Sequence, residues 1–253
     1  MSVFRTQLLT FLVSALAWTP AVTAQEDVEK IVQEAIVLAR KVPSEKAVEM
    51  LSTAIREQPD FAYAYYHRGR ENFRLGRIKD SVADFDRFVK LRPEFESRQW
   101  ERGIAYFYNG DFAQGAKQFE LYQTFHNQDV ENSTWRYLCL VPLEGVDKAK
   151  ETMLPIDRDP RTPMMEIFDL YRGKVKPADV LAACELKDAP ADARSAAEFY
   201  AHLYLGLWYD AAGDQAKARE HIFAAEKRPI DHYMFDVARI HADKLRREMK
   251  ERE

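Results

Sequence analysis

The chain has 253 residues, of which 47% are hydrophobic and 12% aromatic, and its formal net charge at pH 7 is −4. A chain of this length and composition can bury a substantial core without help from metals or disulfides. The slightly acidic balance argues against nucleic acid or an anionic membrane surface as the partner, because both attract basic proteins.

The first element in chain order is an apolar segment near the N-terminus. Arg5 precedes an apolar run from Leu8 to Trp18, and Val22-Thr23-Ala24 then supplies small residues. This order predicts a secretory signal peptide over residues 1–24, cleaved after Ala24. The run is too short for a convincing membrane span, so we expect an exported chain, periplasmic or secreted, with no membrane span after cleavage.

Two stretches of the chain share a glycine pattern. The segments HRGRENFRLG and ERGIAYFYNG place Gly69 and Gly76 in line with Gly103 and Gly110, 34 positions later. A period of this length indicates a helix-turn-helix unit that cannot bury its apolar face alone and stacks on copies of itself.

Each repeated position has a structural reason. We expect Gly69 and Gly103 to let the two helices of a unit approach closely, and Gly76 and Gly110 to adopt positive φ where the first helix ends. Large apolar residues are expected to pack on the second helix, and prolines to stop it. The large apolar residues are Phe85 and Phe119, and the prolines are Pro59 and Pro93. The corresponding glycines of a later unit are Gly206 and Gly213.

Residues 62–93, AYAYYHRGRENFRLGRIKDSVADFDRFVKLRP, resemble a complete tetratricopeptide repeat (TPR). The resemblance implies an all-α fold, a right-handed superhelical solenoid of antiparallel helix pairs. We predict three N-terminal units over residues 25–129, the first of them degenerate. Two degenerate helix pairs are predicted over 130–198, followed by a C-terminal unit with a capping helix over 199–253.

The order of clear and degenerate units is similar to that of the NlpI-like TPR lipoproteins of the bacterial envelope. This resemblance implies an adaptor or scaffold that binds envelope proteins, such as a processing protease or cell-wall hydrolases, and a homodimeric assembly. The segment TPAVTAQ lacks the cysteine that carries the lipid in those proteins, so the resemblance does not extend to lipid anchoring.

The first helices of the units line the concave surface of a TPR solenoid. Tyrosine, tryptophan and arginine combine a large contact area with a polar group, which makes them frequent in binding hot spots. The alternative is that the aromatic side chains pack between helices. The residues predicted to form a groove for a protein or peptide partner are Tyr63, Tyr66, Arg70, Arg74, Trp100, Ile104 and Tyr108, and those predicted to be core are Trp135, Tyr137, Trp208 and Tyr209.

Motifs that would indicate an enzyme are missing from the sequence. It contains no His-Glu-x-x-His, Gly-x-Ser-x-Gly, phosphate-binding glycine loop or Cys-x-x-Cys. We predict that His221, His232 and His241 are ordinary helical histidines, and that the chain has no catalytic residue, metal or cofactor. The segments ENSTW and PIDRDPRTP are predicted as loops, with Asp157 and Asp159 in a helix cap and a solvated turn.

Two alternatives to an adaptor stay open from the sequence. A helical periplasmic protein that binds a small molecule would retain its ligand through purification. An enzyme built on repeats would need a metal-binding polar cluster in its groove.

The two cysteines, Cys139 and Cys184, lie in apolar surroundings. An oxidising compartment permits a disulfide between them, and separate buried thiols are the other outcome.

Overall fold

The computed structural model describes residues 28–34, Val37 and residues 44–251, and every regular element within those ranges is helical. The predicted signal peptide and its cleavage site lie outside the described residues. The helices follow one another as packed pairs joined by short turns. The predicted all-α class, a solenoid of helix pairs, is confirmed.

The N-terminal part of the array consists of regularly repeated helices. In chain order the elements are α1 (Ser44–Glu57), α2 (Ala62–Arg74), α3 (Ile78–Leu91), a 3-10 helix (Pro93–Arg98), α4 (Trp100–Asn109) and α5 (Phe112–Tyr122). Helix α2 pairs with α3, and α4 pairs with α5.

Close approach of the paired helices depends on glycine. A Cβ atom on Gly103 of α4 would lie 2.6 Å from the Phe119 ring of α5, nearer than any real Cβ contact. A Cβ atom on Gly69 of α2 would lie 3.2 Å from the Phe85 ring of α3. Both phenylalanine rings are buried. The phenylalanine ring of the following helix therefore packs directly against the glycine, and the two helix backbones lie close together.

Glycines and prolines mark the turns of the array. Gly76, Gly110 and Gly213 have φ values of +72°, +85° and +81° at the ends of first helices. Residues other than glycine rarely adopt this conformation, so the chain can reverse direction there. Pro59 lies in the turn before α2, and Pro93 opens the 3-10 helix that follows α3.

The C-terminal part of the array is less regular. Its helices are α6 (Val130–Glu144), α7 (Val146–Glu151), α8 (Met164–Tyr171), α9 (Pro177–Ala183), α10 (Ala191–Ala211), α11 (Gln215–Glu226) and α12 (Tyr233–Lys250). One continuous hydrophobic core runs from Phe73 in α2 to Leu245 in α12. Among the described residues, no helix combines the length and the apolar character that crossing a bilayer requires.

The segment ENSTW lies inside α6, so its prediction as a loop is wrong. Asp129 caps this helix by accepting a hydrogen bond from the backbone N–H of Glu131. Asparagine, serine and threonine favour turns when nothing else holds them. Here they are buried together with Trp135, and packing therefore decides the conformation.

The last helix, α12, packs on α11 and also on α2 of the N-terminal repeats. The Tyr233 ring stacks on the Phe73 ring with 5.2 Å between centroids. Nε of Arg74 lies 3.0 Å from an Asp236 carboxylate oxygen. The helix therefore does more than cap the last unit, because it also covers part of the first helices of the array.

Both cysteines carry free thiols. Cys139 and Cys184 are buried in the core. Burial raises the pKa of the Cys184 thiol to about 11, so the group stays protonated and unreactive at neutral pH.

Candidate functional site

The residues predicted to line a groove lie on α2 and α4, where α12 covers part of the surface. The guanidinium of Arg70 lies 5.7 Å from the ring centre of Tyr66 and 5.1 Å from that of Tyr233 in α12. Tyr66 donates its hydroxyl to the buried Glu101 at 2.8 Å. These two groove residues therefore already have partners within the chain.

Three further groove residues face the same helix or the core. The Tyr108 hydroxyl lies 3.0 Å from Nδ1 of His241, and Arg74 pairs with Asp236. Ile104 is fully buried and belongs to the continuous core, so the prediction that it lines the groove is wrong.

All members of the predicted set except Ile104 keep some accessible surface. Tyr63 is 38% exposed, and the half-buried members are Tyr66, Arg70, Arg74, Trp100 and Tyr108. Helix α12 contacts Arg70, Arg74 and Tyr108, so the groove face of α2 and α4 is covered in part.

A cavity of about 490 Å³ lies beside Trp100 and the start of α12. The Trp100 and His232 rings stack with centroids 6.1 Å apart and planes 5° from parallel. Helices α4, α5, α6 and α12 and the loop before α8 all contribute to the lining. Its aromatic walls are formed by Trp100, Phe119, Tyr122, Trp135 and His232.

One side of the cavity carries an arginine held by three carboxylates. Arg161 donates hydrogen bonds to Asp129 at 2.7 Å, to Glu131 at 2.5 Å and to Asp159 at 2.6 and 2.9 Å. Tyr204 donates its hydroxyl to the other oxygen of Glu131 at 2.8 Å. One guanidinium balances one of three carboxylates, so this acidic cluster keeps a surplus of negative charge when all three are ionised.

The local structure explains how these groups meet. Asp129 and Glu131 begin α6, whereas Asp159 and Arg161 come from the loop before α8. Asp159 accepts a hydrogen bond from the backbone N–H of Val130 at 3.2 Å, which ties this loop to the start of α6. The prediction of a solvated turn at Asp159 is wrong, because the residue is 6% exposed and fully hydrogen-bonded.

The surroundings shift the pKa values of two carboxyl groups in opposite directions. Burial raises the pKa of Glu131 to about 7; Arg161 opposes this shift and Asp129 adds to it. Asp159 is also buried, but hydrogen bonds from Arg161 and Val130 outweigh burial and lower the pKa of its carboxyl group.

The raised pKa of Glu131 predicts a pH-dependent contribution to stability. The carboxyl group binds a proton more tightly in the folded state than at its ordinary value of 4.5. Its contribution is therefore fully present below about pH 4.5 and is lost as the pH rises through about 7. Relative to Glu131→Gln, which cannot ionise, the natural protein should lose stability between pH 5.5 and pH 8.

Urea unfolding of both proteins at these two pH values checks the prediction. Histidines whose pKa values are lowered by burial, such as His202, act in the opposite direction, but both proteins contain them. Their effect cancels in the difference between the two proteins. A difference that is the same at pH 5.5 and pH 8 would contradict the assigned environment of Glu131.

Two polar atoms of cavity-lining residues have no hydrogen-bond partner in the described part of the chain. They are Nε1 of Trp135 and Oδ1 of Asn132, whose residues are 1% and 2% exposed. A buried donor or acceptor without a partner has lost its hydrogen bonds to water. Neither atom has accessible surface, so both belong to the packing behind the cavity wall.

The histidines do not converge on a metal site. His202 and His221 contact each other at 2.9 Å between ring nitrogens, whereas His232 stacks on Trp100 and His241 contacts Tyr108. Across residues 28–34, 37 and 44–251, no group of three or more His, Cys, Asp or Glu side chains could hold an ion. The cavity offers aromatic surface, charge and hydrogen-bonding atoms, which are the properties of a binding site.

Sequence reasoning identified Trp100 but missed the other polar members of this site. Glu131 and Arg161 lie in ENSTW and PIDRDPRTP, which are predicted as loops, and Asp129 is the last residue of the predicted N-terminal units. The available signal was the run DRDPR, in which alternating charges lie beside proline in a segment without helical periodicity. Such a run can be an ordered, ion-paired loop, but the partners cannot be read from it.

The chain is similar to parts of two known proteins. No protein-family model matches the chain. The protein SGT1 homolog of Bos taurus is 27% identical over 93 residues, which are 37% of this chain and 28% of that protein. The crystal structure of yeast Tom70 is 14% identical with a TM-score of 0.38, over 88% of this chain and 47% of that chain. The chain thus spans less than half the length of either protein. Its repeat pattern and its helix pairs are those of a TPR-like fold.

Proposed function

We propose that this chain is a non-catalytic adaptor that binds a segment of a partner protein at the cavity and along the exposed surface next to it. The finer form of the proposal places it in a bacterial cell envelope, as an exported, homodimeric scaffold for a protease or cell-wall hydrolases. That finer form is supported by the predicted signal peptide and by the order of the repeats.

The observation that carries the proposal is a strip of exposed and half-buried aromatic and arginine side chains. This aromatic–arginine strip consists of Tyr63, Arg92, Phe95, Arg98 and Phe125. Arg92 lies 5.6 and 4.9 Å from the ring centres of Tyr63 and Phe95. Arg98 lies 5.4 and 4.7 Å from those of Phe95 and Phe125. These are the residue types that dominate protein-binding energetics.

The strip is continuous with the cavity. The ring of Phe125, which is 50% exposed, lies 6.0 Å from the ring of Tyr122 in the cavity wall. A connected apolar surface of this kind on a protein typically marks an interaction site. Helix α12 contacts Arg70, Arg74 and Tyr108, whereas the strip and the cavity together offer an accessible route for a partner segment.

A pull-down with matched variants tests the proposal. Tagged protein beginning at residue 25 is mixed with envelope extract of the source organism at two salt concentrations, and the captured proteins are identified by mass spectrometry. We expect Phe125→Ala combined with Arg98→Ala to lower partner capture about tenfold or more, since truncation of a hot-spot residue typically costs about 2 kcal/mol or more.

Leu143→Ala is the control for that variant, because Leu143 is as exposed as Phe125 and lies at the far end of α6, outside the strip. Circular dichroism should show the same helicity in all three proteins. Equal loss of capture in both variants, or no specific partner at either salt, would refute the adaptor function.

A small-molecule-binding protein is the second candidate, favoured by the volume of the cavity and by its aromatic walls. Native mass spectrometry of the purified protein would show an excess mass that disappears on denaturation. An unmodified mass under gentle conditions would count against this candidate.

A further inference from the structure

We infer that the aromatic–arginine strip binds an acidic side chain of the partner segment, aspartate or glutamate, and that Arg98 receives its carboxylate. This inference rests on the proposed protein-binding function and names the partner chemistry that the strip selects. The site consists of the Arg98 guanidinium and the two rings that it contacts, those of Phe95 and Phe125.

The state of the Arg98 side chain is the first reason. Arg98 is exposed, and it makes no ion pair and no side-chain hydrogen bond with any residue that the structure describes. Its contacts are with the two rings, which occupy none of its five N–H donors with an oxygen acceptor. A carboxylate can therefore accept two of these donors in bidentate geometry without displacing an existing bond.

The charge around Arg98 is the second reason. Glu94 is held by Nε of Arg92 at 2.6 Å, and Glu96 is held by Nη1 of Arg102 at 3.0 Å. Residues 87–98 carry four basic and two acidic side chains, whereas the whole chain has a net charge of −4. With both carboxylates paired, this surface is locally positive on an acidic protein, and it attracts an anionic segment.

The rings beside the guanidinium are the third reason. Phe125 is 50% exposed and Phe95 is half-buried, so both can contact an incoming chain. They also keep water from part of the guanidinium, which strengthens its attraction to a carboxylate relative to a fully hydrated cation. An acidic residue flanked by apolar side chains uses the charge and the rings together, whereas a free inorganic anion uses the charge alone. The strip therefore favours a carboxylate carried by a peptide.

Two peptides that differ in one charge test the inference. Phe-Glu-Phe and Phe-Gln-Phe, each acetylated and amidated, have the same length and carry no charge besides the glutamate. Binding to ¹⁵N-labelled protein is followed through the backbone amide resonances of Arg98 and Phe125. We expect saturable shifts at both, and binding of the glutamate peptide about threefold tighter at low salt, which is typical of an accessible ion pair. The preference should shrink as salt screens the charges.

A charge variant with a matched control completes the test. Arg98→Gln removes the charge, and it should bind the two peptides with equal affinity. Arg77 is also exposed and without an ion pair among the residues described, but it precedes α3, whereas the strip begins after the end of that helix. Arg77→Gln should therefore keep the preference for glutamate. Amide resonances that stay dispersed show that both variants are folded.

Four results would overturn the inference. They are equal affinity of the natural protein for the two peptides, absence of saturable shifts with either peptide, equal loss of the preference in the two variants, and shifts at Arg98 and Phe125 that phosphatidylglycerol vesicles produce but the peptides do not. The last result would assign the strip to a lipid surface.

The pull-down separates this inference from the function on which it rests. If a specific partner is captured while the peptides show no charge preference, the inference of an acidic ligand fails and the adaptor function stands. If the peptides bind as expected and no partner is captured, the adaptor function fails instead.

Discussion

Replacement of Tyr233 by alanine is expected to lower the free energy of unfolding by about 3–5 kcal/mol, the range for removing a large aromatic side chain from a core. The residue is 4% exposed at the start of α12. Its ring stacks on Phe73, lies 5.3 Å from the Trp100 ring, and lies 5.1 Å from the guanidinium of Arg70. Alanine would leave a cavity where α12 contacts the first helices of two units.

Tyr233→Phe is the matched control for this change. The tyrosine hydroxyl is buried and has no hydrogen-bond partner among the described residues. Phenylalanine keeps the ring and removes an unsatisfied polar group, so we expect unchanged stability or a gain of about 1 kcal/mol.

Urea unfolding measures the stability of both Tyr233 variants, and hydrogen exchange read by mass spectrometry locates the change. In Tyr233→Ala, exchange should accelerate in α2 and in α12 together. An equal loss of stability in both variants would show that the hydroxyl matters more than the ring, contrary to the structure. Faster exchange in α12 alone would show that α2 does not depend on this contact.

Replacement of Gly206 by alanine is the second change for which a large effect is expected. Helix propensity alone predicts a gain of about 1 kcal/mol for this exchange within a helix. In the structure, however, a Cβ atom on Gly206 would lie 2.6 Å from the Ile222 side chain and 3.0 Å from the Ile222 backbone nitrogen. Because backbone cannot move aside as a flexible side chain can, we expect a net loss of about 1–3 kcal/mol.

A double-mutant cycle separates the steric effect from other causes. Ile222→Ala removes the side-chain atoms nearest to the new methyl group, so it should destabilise the Gly206→Ala protein less than it destabilises the natural protein. Thermal or urea unfolding of the four proteins gives the coupling free energy. Additive effects, or a gain of stability in Gly206→Ala, would mean that α10 and α11 are not packed as closely as the structure places them.

The repeated part of the fold could be predicted because its determinants are local. Gly69 and Gly103 each receive a phenylalanine from the next helix of the same unit, 16 positions later, and Gly76 and Gly110 end the first helix of each pair. These relations recur at a fixed period, so one unit supports the interpretation of the next. The helices α2 to α5 follow from such short-range patterns.

The candidate site could not be predicted in the same way, because its residues come together from distant segments. Trp100 and His232 are 132 positions apart, and no periodic pattern connects them. The aromatic and arginine composition of α2 and α4 indicated a binding surface. It could not indicate that α12 would contact Arg70 and Tyr108, since an amphipathic terminal helix has the same sequence pattern whichever face it packs against.

The contact between α12 and α2 also has a consequence for biosynthesis. In an open repeat array, each unit can complete its packing as soon as its neighbour has been made. Here the Phe73 ring receives its cover from Tyr233, 160 positions later in the chain. The first units therefore expose an apolar surface throughout translation of the rest of the protein, and a nascent chain of this kind would need holding chaperones until its last helix emerges from the ribosome.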